Sequence, residues 1–346
     1  VNADRGSSWR NIGGGRTAFS LPELAEIAAQ NHHIFKELQY LSNIDYKPIR
    51  YISFAHDEET YKALEASKAW SKAEMIAPKQ FREEISPYFN ANPKKYISAL
   101  VSEDCWQATP GKVVDLVRNL GIAAGGTVME DCRVLEACRE GKYTSVLVQT
   151  HDKKYVEYRT EHFVNALGSG AGKLCDSMGI DAGLYPVRHQ AFITRRLPML
   201  GKHGTNLDML IDRQDYKGFS AVYGQQIAYT GQIIGCASPK LDAMRIDKNL
   251  KVNTKAFLEI VSEMFSEWIP DLAGVGIQAV WAGYYTEPRY IVDPELGLFV
   301  GMRGHGFMLS QYIARMYVDK LLGRPVPEYF EKLKLNGPGL SEKAFK

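Results

Sequence analysis

Short runs of β-branched and aromatic residues alternate along this chain with longer stretches whose apolar positions repeat at helical spacing, a pattern that restricts it to an α/β architecture. Ser20-Leu21-Pro22-Glu23-Leu24 opens a helix, with Pro placed where a missing N–H costs nothing, and apolar spacing carries it through Leu41. Ile49 to Phe54 reads as extended, two helical stretches are expected over 58–71 and 78–86, and Thr109-Pro110 opens another through Leu120. Val128, Arg133-Val134-Leu135, Thr144 to Val148 and Phe163 to Leu167 are bounded by polar or glycine residues and predict short strands. A second β-rich stretch covers 187–236, followed by a helix over 254–267, a strand and loop near 278–300 and a last helix over 307–322. The β-rich middle predicts a second unit inserted into the α/β one. The opening, Val1 to Ser8, has the character of a strand end running into a small-residue loop.

Composition excludes several functions. A formal charge of +2, with Lys and Arg scattered rather than blocked, gives no field able to hold nucleic acid. No apolar run reaches the roughly 20 residues that span a bilayer, so a soluble protein is expected. Five cysteines without a C-x-x-C pair (Cys105, Cys132, Cys138, Cys175, Cys236) read as reduced thiols in a cytoplasmic setting. The His32-His33 pair falls in a helical stretch where neighbouring side chains diverge, so no metal site is expected.

Glycine concentrates beside predicted strand ends in three places: Gly13-Gly14-Gly15, Gly168-Ser169-Gly170-Ala171-Gly172 and Gly301-Met302-Arg303-Gly304-His305-Gly306. Each is either an ordinary turn or a place where backbone approaches a ligand, with the N–H groups of a following helix turned toward an anion. The middle segment is neither a P-loop, since Leu174 follows Lys173, nor a hydrolase elbow, since Ser169 directly follows Gly168.

Four separated stretches resemble the D-amino-acid oxidase and sarcosine oxidase superfamily, which also contains glycine oxidases and dye-linked proline dehydrogenases. The first, Ser7 to Ser20, is similar to the family loop that crosses the pyrophosphate and the flavin, and Asn2 or Asp4 falls where the family places an acid on the adenosine ribose. Cys132-Arg133-Val134-Leu135 is similar to the strand on the adenine side. Val164-Asn165-Ala166-Leu167-Gly168, with Tyr185-Pro186-Val187-Arg188-His189-Gln190 downstream, resembles the family turn and the strand after it. Trp281 to Tyr285, followed by Gly301 to Ser310, is similar to the sarcosine oxidase G-H-G-F-x-L-S loop that enters a helix beneath the flavin. Met308 stands where sarcosine oxidase has a lysine, which favours an acceptor other than oxygen.

The resemblance implies a Rossmann-like FAD-binding domain, here without its first strand and G-x-G-x-x-G turn, and an inserted antiparallel substrate domain. The expected division is 1–44, 98–185 and 276–346 for FAD, against 45–97 and 186–275 for substrate. Non-covalent FAD would contact Asn2, Ala3, Asp4, Ser8, Trp9, Arg10, Gly13, Gly14, Gly15, Val134, Ala166, Gly168, Gly301, Gly304, His305, Gly306, Phe307 and Met308. The implied reaction removes hydride from the carbon beside the nitrogen of a small amine or amino acid. Arg16 is the first candidate for a substrate carboxylate, with Arg303 and Tyr285 next and His305 as a flavin contact or proton carrier; the alternatives are a phosphate or surface arginine, rim aromatics and a structural histidine. Dehydrogenase is the leading reading, oxygen-using oxidase and non-catalytic flavin-binding subunit the rivals. A homo-oligomer or a partner subunit is compatible with all three.

Overall fold

Extended segments rich in Ile, Val, Phe and Tyr must pair their backbone groups, and nine of them do so in one sheet. The computed structural model describes residues 6–90, 92, 94–214, 218–239, 250, 254–340 and 342. In chain order the first elements are the helical turn α1 (Ser7–Arg10), β1 (Gly14–Gly15), α2 (Pro22–Leu41), β2 (Lys47–Ala55), α3 (Glu58–Ala66), β3 (Ala73–Ile76), α4 (Phe81–Glu84), β4 (Ser98–Gln107) and α5 (Pro110–Ala123). A three-strand group follows, β5 (Arg133–Glu140), β6 (Tyr143–Gln149) and β7 (Tyr155–Thr160), then α6 (Ala171–Ser177). The rest comprises β8 (Tyr185–Arg196), β9 (Met209–Asp212), β10 (Phe219–Gln226), β11 (Gln232–Pro239), α7 (Thr254–Trp268), β12 (Ile277–Glu287), β13 (Ile291–Asp293), β14 (Leu298–Val300) and α8 (Gly306–Leu321).

The large sheet runs β1-β4-β2-β9-β10-β11-β8-β12, with β3 also on β4. It is mixed, since β2 and β9 are parallel and its other pairs antiparallel. Because successive side chains point to opposite faces, one residue set from each strand builds a dry core. Ile52, Phe54, Leu210, Val222 and Phe192 join Phe257, Ile260, Val261, Met264 and Trp268 of α7 there. A second core holds α2 against α8, where Leu24, Ile27, Ala28, Phe35 and Leu38 recur at helical spacing and meet Phe307, Leu309, Ile313 and Met316. The antiparallel β5-β6-β7 sheet stands apart, and Leu174 of α6 shares its apolar cluster.

The expected mixture of strands and helices is present, with local differences. Helix 58–71 stops at Ala66, and a tighter 3-10 turn, Ser67–Trp70, follows, with the buried Ser67 hydroxyl donating to the Leu64 carbonyl. The 78–86 stretch is a turn at Pro78–Gln80 and one helical turn, Phe81–Glu84. Phe163 to Leu167 is not a strand: Asn165 alone bridges Leu298, its side chain is consumed by the Ala171 carbonyl at 3.0 Å, and Gly168 turns away at φ +56°. Val128 lies outside any strand, and Ser7–Arg10 is helical rather than a loop. Val1 to Arg5 are outside the described residues.

Among the described residues no group of three metal-ligating side chains occurs; His32 is buried while its neighbour His33 is exposed. No helix is long and apolar enough to cross a membrane.

Phe54 is 1% exposed and packs against Phe81, Phe89, Tyr96 and Trp268. Phe54→Ala should therefore cost about 3–5 kcal/mol of unfolding free energy in a urea titration. A loss below about 1 kcal/mol would mean that this core is not packed as described.

Candidate active site

On the face of the large sheet turned away from the α7 core, residues of β2, β8, β9, β10, β11 and β12 form one wall of a cavity of about 360 Å³. Strand register sets the wall: Tyr51 lies beside Met209, Ile211 beside Tyr223, Tyr223 beside Cys236, Cys236 beside Ala191, and His189 beside Gly283. Arg213, Tyr285 and Glu287 extend it. The facing wall comes from Ser7, Arg10, Asn11, Gly14 and Arg16 near the start of the chain and from Gly304, His305, Phe307 and Met308 at the head of α8.

Long-range hydrogen bonds dock these early residues. Ser7 Oγ donates to the Tyr284 carbonyl at 2.7 Å, the Trp281 indole donates to the Arg10 carbonyl at 2.7 Å, and Gln225 Nε2 donates to the Ile12 carbonyl at 2.8 Å. Gly14 then passes so near Tyr51 that any Cβ would overlap the phenol oxygen, which excludes a larger residue. Gly304 stands in the same relation to the ring of Tyr285.

Burial governs the site's protonation. Tyr285 and Tyr223 share a hydrogen bond of 2.8 Å between their hydroxyls, and burial pushes both phenols far above their ordinary range. His189 stacks on Tyr285 with ring centres 3.6 Å apart, and its Nδ1 lies 3.1 Å from Ser238 Oγ. Burial lowers His189 to about 3, so the imidazole is neutral. Burial raises the Cys236 thiol to about 12, which removes it as a nucleophile near neutrality. Arg213 falls to about 9, through burial first and the Arg16 charge second. His305 caps the start of α8 without a side-chain capping bond, and its Nδ1 is 2.5 Å from the Tyr290 hydroxyl.

Of the residues singled out in the sequence, the cavity gathers Arg10, Gly14, Arg16, Tyr285, Arg303, Gly304, His305, Phe307 and Met308. Gly13, Gly15, Gly301 and Gly306 flank these without lining the cavity, as do Ser8 and Trp9; Trp9 packs on Gly111 of α5. Val134 lies on the separate three-stranded sheet, and Ala166 and Gly168 are exposed, so the cavity does not join them to the rest. Asn2, Ala3 and Asp4 fall outside the described residues. Tyr51, His189, Arg213, Tyr223, Cys236, Ser238 and Glu287 belong to the cavity but were not singled out as site residues. No local signal marked them: in Phe219-Ser220-Ala221-Val222-Tyr223 an irregularity between Phe219 and Ala221 breaks the alternation, so Phe219 and Val222 enter the core while Ser220, Ala221 and Tyr223 line the cavity. A larger hollow of about 620 Å³, lined by His32, Tyr46, Arg50, Lys202 and Asp208 among others, gathers none of the glycine-loop residues.

Comparison with known proteins follows the same lines. The family model for FAD dependent oxidoreductases (DAO) matches residues 2–320. L-proline dehydrogenase from P. horikoshii is similar in structure, with a TM-score of 0.77, 23% identity, and coverage of 95% of this chain and 87% of that one. Glycine oxidase from Geobacillus kaustophilus gives 0.74, 17%, 96% and 88%, and the L-alpha-glycerophosphate oxidase of Mycoplasma pneumoniae, crystallised with FAD bound, gives 0.69, 15%, 92% and 85%. At these identities the likeness is one of fold. No curated protein sequence matches at a significant level.

The depressed His189 fixes a pH dependence. Below its unfolded value of about 6.5 the unfolded chain takes up a proton that the folded protein refuses until about 3, so stability is full above that window and falls as pH drops through it. His189→Gln should flatten this part of the acid limb when urea midpoints are followed from about pH 7 to about pH 4. Parallel curves for the two proteins would contradict the burial of a neutral imidazole.

Proposed function

Because the chain belongs to the DAO family of FAD dependent oxidoreductases, whose model spans residues 2–320, we propose that it oxidises a small amine or amino acid at the carbon beside nitrogen, as a dehydrogenase. The observation that carries this reading is the single cavity in which the glycine loops and the head of α8 face a sheet wall of tyrosines, a neutral histidine and guanidinium groups.

The residues present fit a flavin. Gly283 lines the cavity with Arg10 packed in ordinary contact beside it, and Gly14 and Gly304 come so close to the Tyr51 and Tyr285 rings that no Cβ fits there. The first-turn N–H groups of the 16-residue α8 lack a side-chain cap and favour negative charge, as an anionic reduced ring requires. Arg10, Gly14, Gly283, Gly304, His305, Phe307 and Met308, which line the cavity, would hold FAD non-covalently, and the flavin would supply a hydride acceptor. In this reading segments 1–44, 98–185 and 276–346 serve the cofactor, while 45–97 and 186–275 supply Tyr51, His189, Met209, Arg213 and Tyr223 to the substrate side.

The protein's own groups then bind and orient. Uncharged His189 offers a ring nitrogen to an amine N–H, Tyr223 and Tyr285 offer hydroxyls, and the packed tyrosine and histidine rings limit water beside the reacting carbon. A compact secondary amine suits these walls, and proline is the first substrate to try, given the P. horikoshii relative named above. Met308 at the head of α8 supports a dye or quinone-type acceptor over oxygen. Unpaired cysteines fit a cytoplasmic setting.

Anaerobic mixing with proline, sarcosine and related amines tests the reading: the two-band flavin spectrum should bleach with at least one, and return with a dye faster than with air. Rapid peroxide formation would turn the assignment to an oxidase, and a spectrum unmoved by every amine would leave a flavin-binding subunit without turnover. Gly304→Val should displace the Tyr285 ring and lower flavin content on purification. A fully yellow variant would contradict that placement.

A further inference from the structure

Behind the cavity wall, on the α7 side of the large sheet, lies a buried carboxylate. Asp212 closes β9 with its side chain 0% exposed, and it stands between Ile211 and Arg213, which both line the cavity. Alternation along the strand sends those two to one face and Asp212 to the other. Three side chains converge on its oxygens. His56 Nε2 lies 2.7 Å from Oδ1, the Tyr96 hydroxyl donates to Oδ2 at 3.0 Å, and Gln214 Nε2 donates to the two oxygens at 3.1 Å and 3.2 Å.

His56 decides where a proton must sit. Its Nδ1 is 2.8 Å from the Lys95 carbonyl, which only accepts, so Nδ1 carries a hydrogen. Its Nε2 meets a carboxylate oxygen, which also only accepts when ionised, so this contact closes only with a second proton between Nε2 and Oδ1. Burial opposes charge on His56, but the hydrogen bond and charge of Asp212 outweigh it and hold the imidazole above its ordinary range. Among the described residues, the other titratable groups around it are Tyr96, with its ring centre 4.8 Å away, Lys95, tied to Glu267 of α7 at 2.6 Å, and Asp57, which caps α3 through the Thr60 N–H.

The pair extends a short seam. β2 and β9 run parallel and share register from Tyr51 and Met209 to Ser53 and Ile211. His56 follows the end of β2 and Asp212 follows Ile211, so their bond adds one more link between the two strands. Tyr51, Met209, Ile211 and Arg213 reach the cavity wall from this seam.

We propose that the proton held between His56 and Asp212 is a positioning device for the substrate cavity. While it is present, β9 is pinned to the end of β2, and Ile211 and Arg213 keep their places in the wall. Once it leaves, a lone pair faces a buried carboxylate, the seam loosens and substrate binds less tightly. Neither residue lines the cavity, so the effect falls on binding and not on the reaction step. This rests on the reading of the cavity as the substrate site and adds an alkaline limit on binding, set from outside the cavity. By linkage, a raised histidine contributes fully below its unfolded value of about 6.5, and the contribution is lost as pH rises through the folded value.

Anaerobic bleaching by proline, followed from about pH 6 to about pH 10 in flavin-loaded wild type, His56→Gln and Asp212→Asn, tests this. The half-saturating concentration should climb about ten-fold more across the range in the wild type than in His56→Gln, whose amide donates to Asp212 at every pH, with limiting bleaching rates alike. Asp212→Asn leaves buried His56 without a counter-ion, so the alkaline climb should disappear and binding should weaken toward the acid end instead. Two measurements need no substrate. The nitrogen NMR spectrum of the wild-type imidazoles should show His56 protonated on both nitrogens at about pH 7, and amide exchange in β9 should be faster in the wild type than in His56→Gln at the alkaline end alone. Identical pH profiles in wild type and His56→Gln, an Asp212→Asn protein that follows the wild type, or a neutral His56 at about pH 7 would each overturn the proposal. If no amine bleaches the flavin, the oxidoreductase reading fails while the imidazole and exchange measurements still decide the role of the pair. The same two measurements decide it should Asp212→Asn not fold.

Discussion

One mixed sheet with two unlike faces is the constraint on which the rest depends. Backbone pairing locks register across β2, β9, β10, β11, β8 and β12, and a slip of one residue would turn every side chain to the wrong side. The face covered by α7 is filled by Phe, Ile, Leu and Trp and resembles any protein interior. The other face carries aromatic residues with polar tips, and each buried tip needs a partner. Tyr223 finds Tyr285, and His189 finds Ser238. The same register thus builds the core and arranges the cavity.

Low polarity then gives the cavity its chemistry. Burial keeps the His189 imidazole and the Tyr223 and Tyr285 phenols uncharged, which makes them hydrogen-bonding groups rather than ions. Positive charge is supplied by the arginines, although burial lowers Arg16 and Arg213 below the usual guanidinium range, and by the head of α8. Neutral hydrogen-bonding groups and cations therefore stand side by side in one cavity, which is compatible with the small amine or amino acid proposed as substrate.

How much of this was legible in the sequence depended on whether the determining contacts are local. The glycine loops and the entry into α8 were legible because Gly301, Gly304 and Gly306 lie within a few residues of the helix they introduce. The surroundings of Arg16 were not: its guanidinium meets Ala18, Phe19 and His305, and His305 is 289 residues away. Tyr51, Arg213 and Tyr223 come together only through strand pairing, which single-strand alternation suggests without naming the neighbours. Phe163 to Leu167 misled because a β-prone composition does not by itself supply pairing partners, and Asn165 finds only one bridge.

The central claim is that a flavin ring lies between the head of α8 and the polar face of the large sheet. A crystal structure of the purified yellow protein tests this most directly. The account predicts ring density beside Gly283 and Gly304, within reach of His305; ring density in the hollow lined by His32 and Tyr46, or side chains filling the cavity, would contradict it.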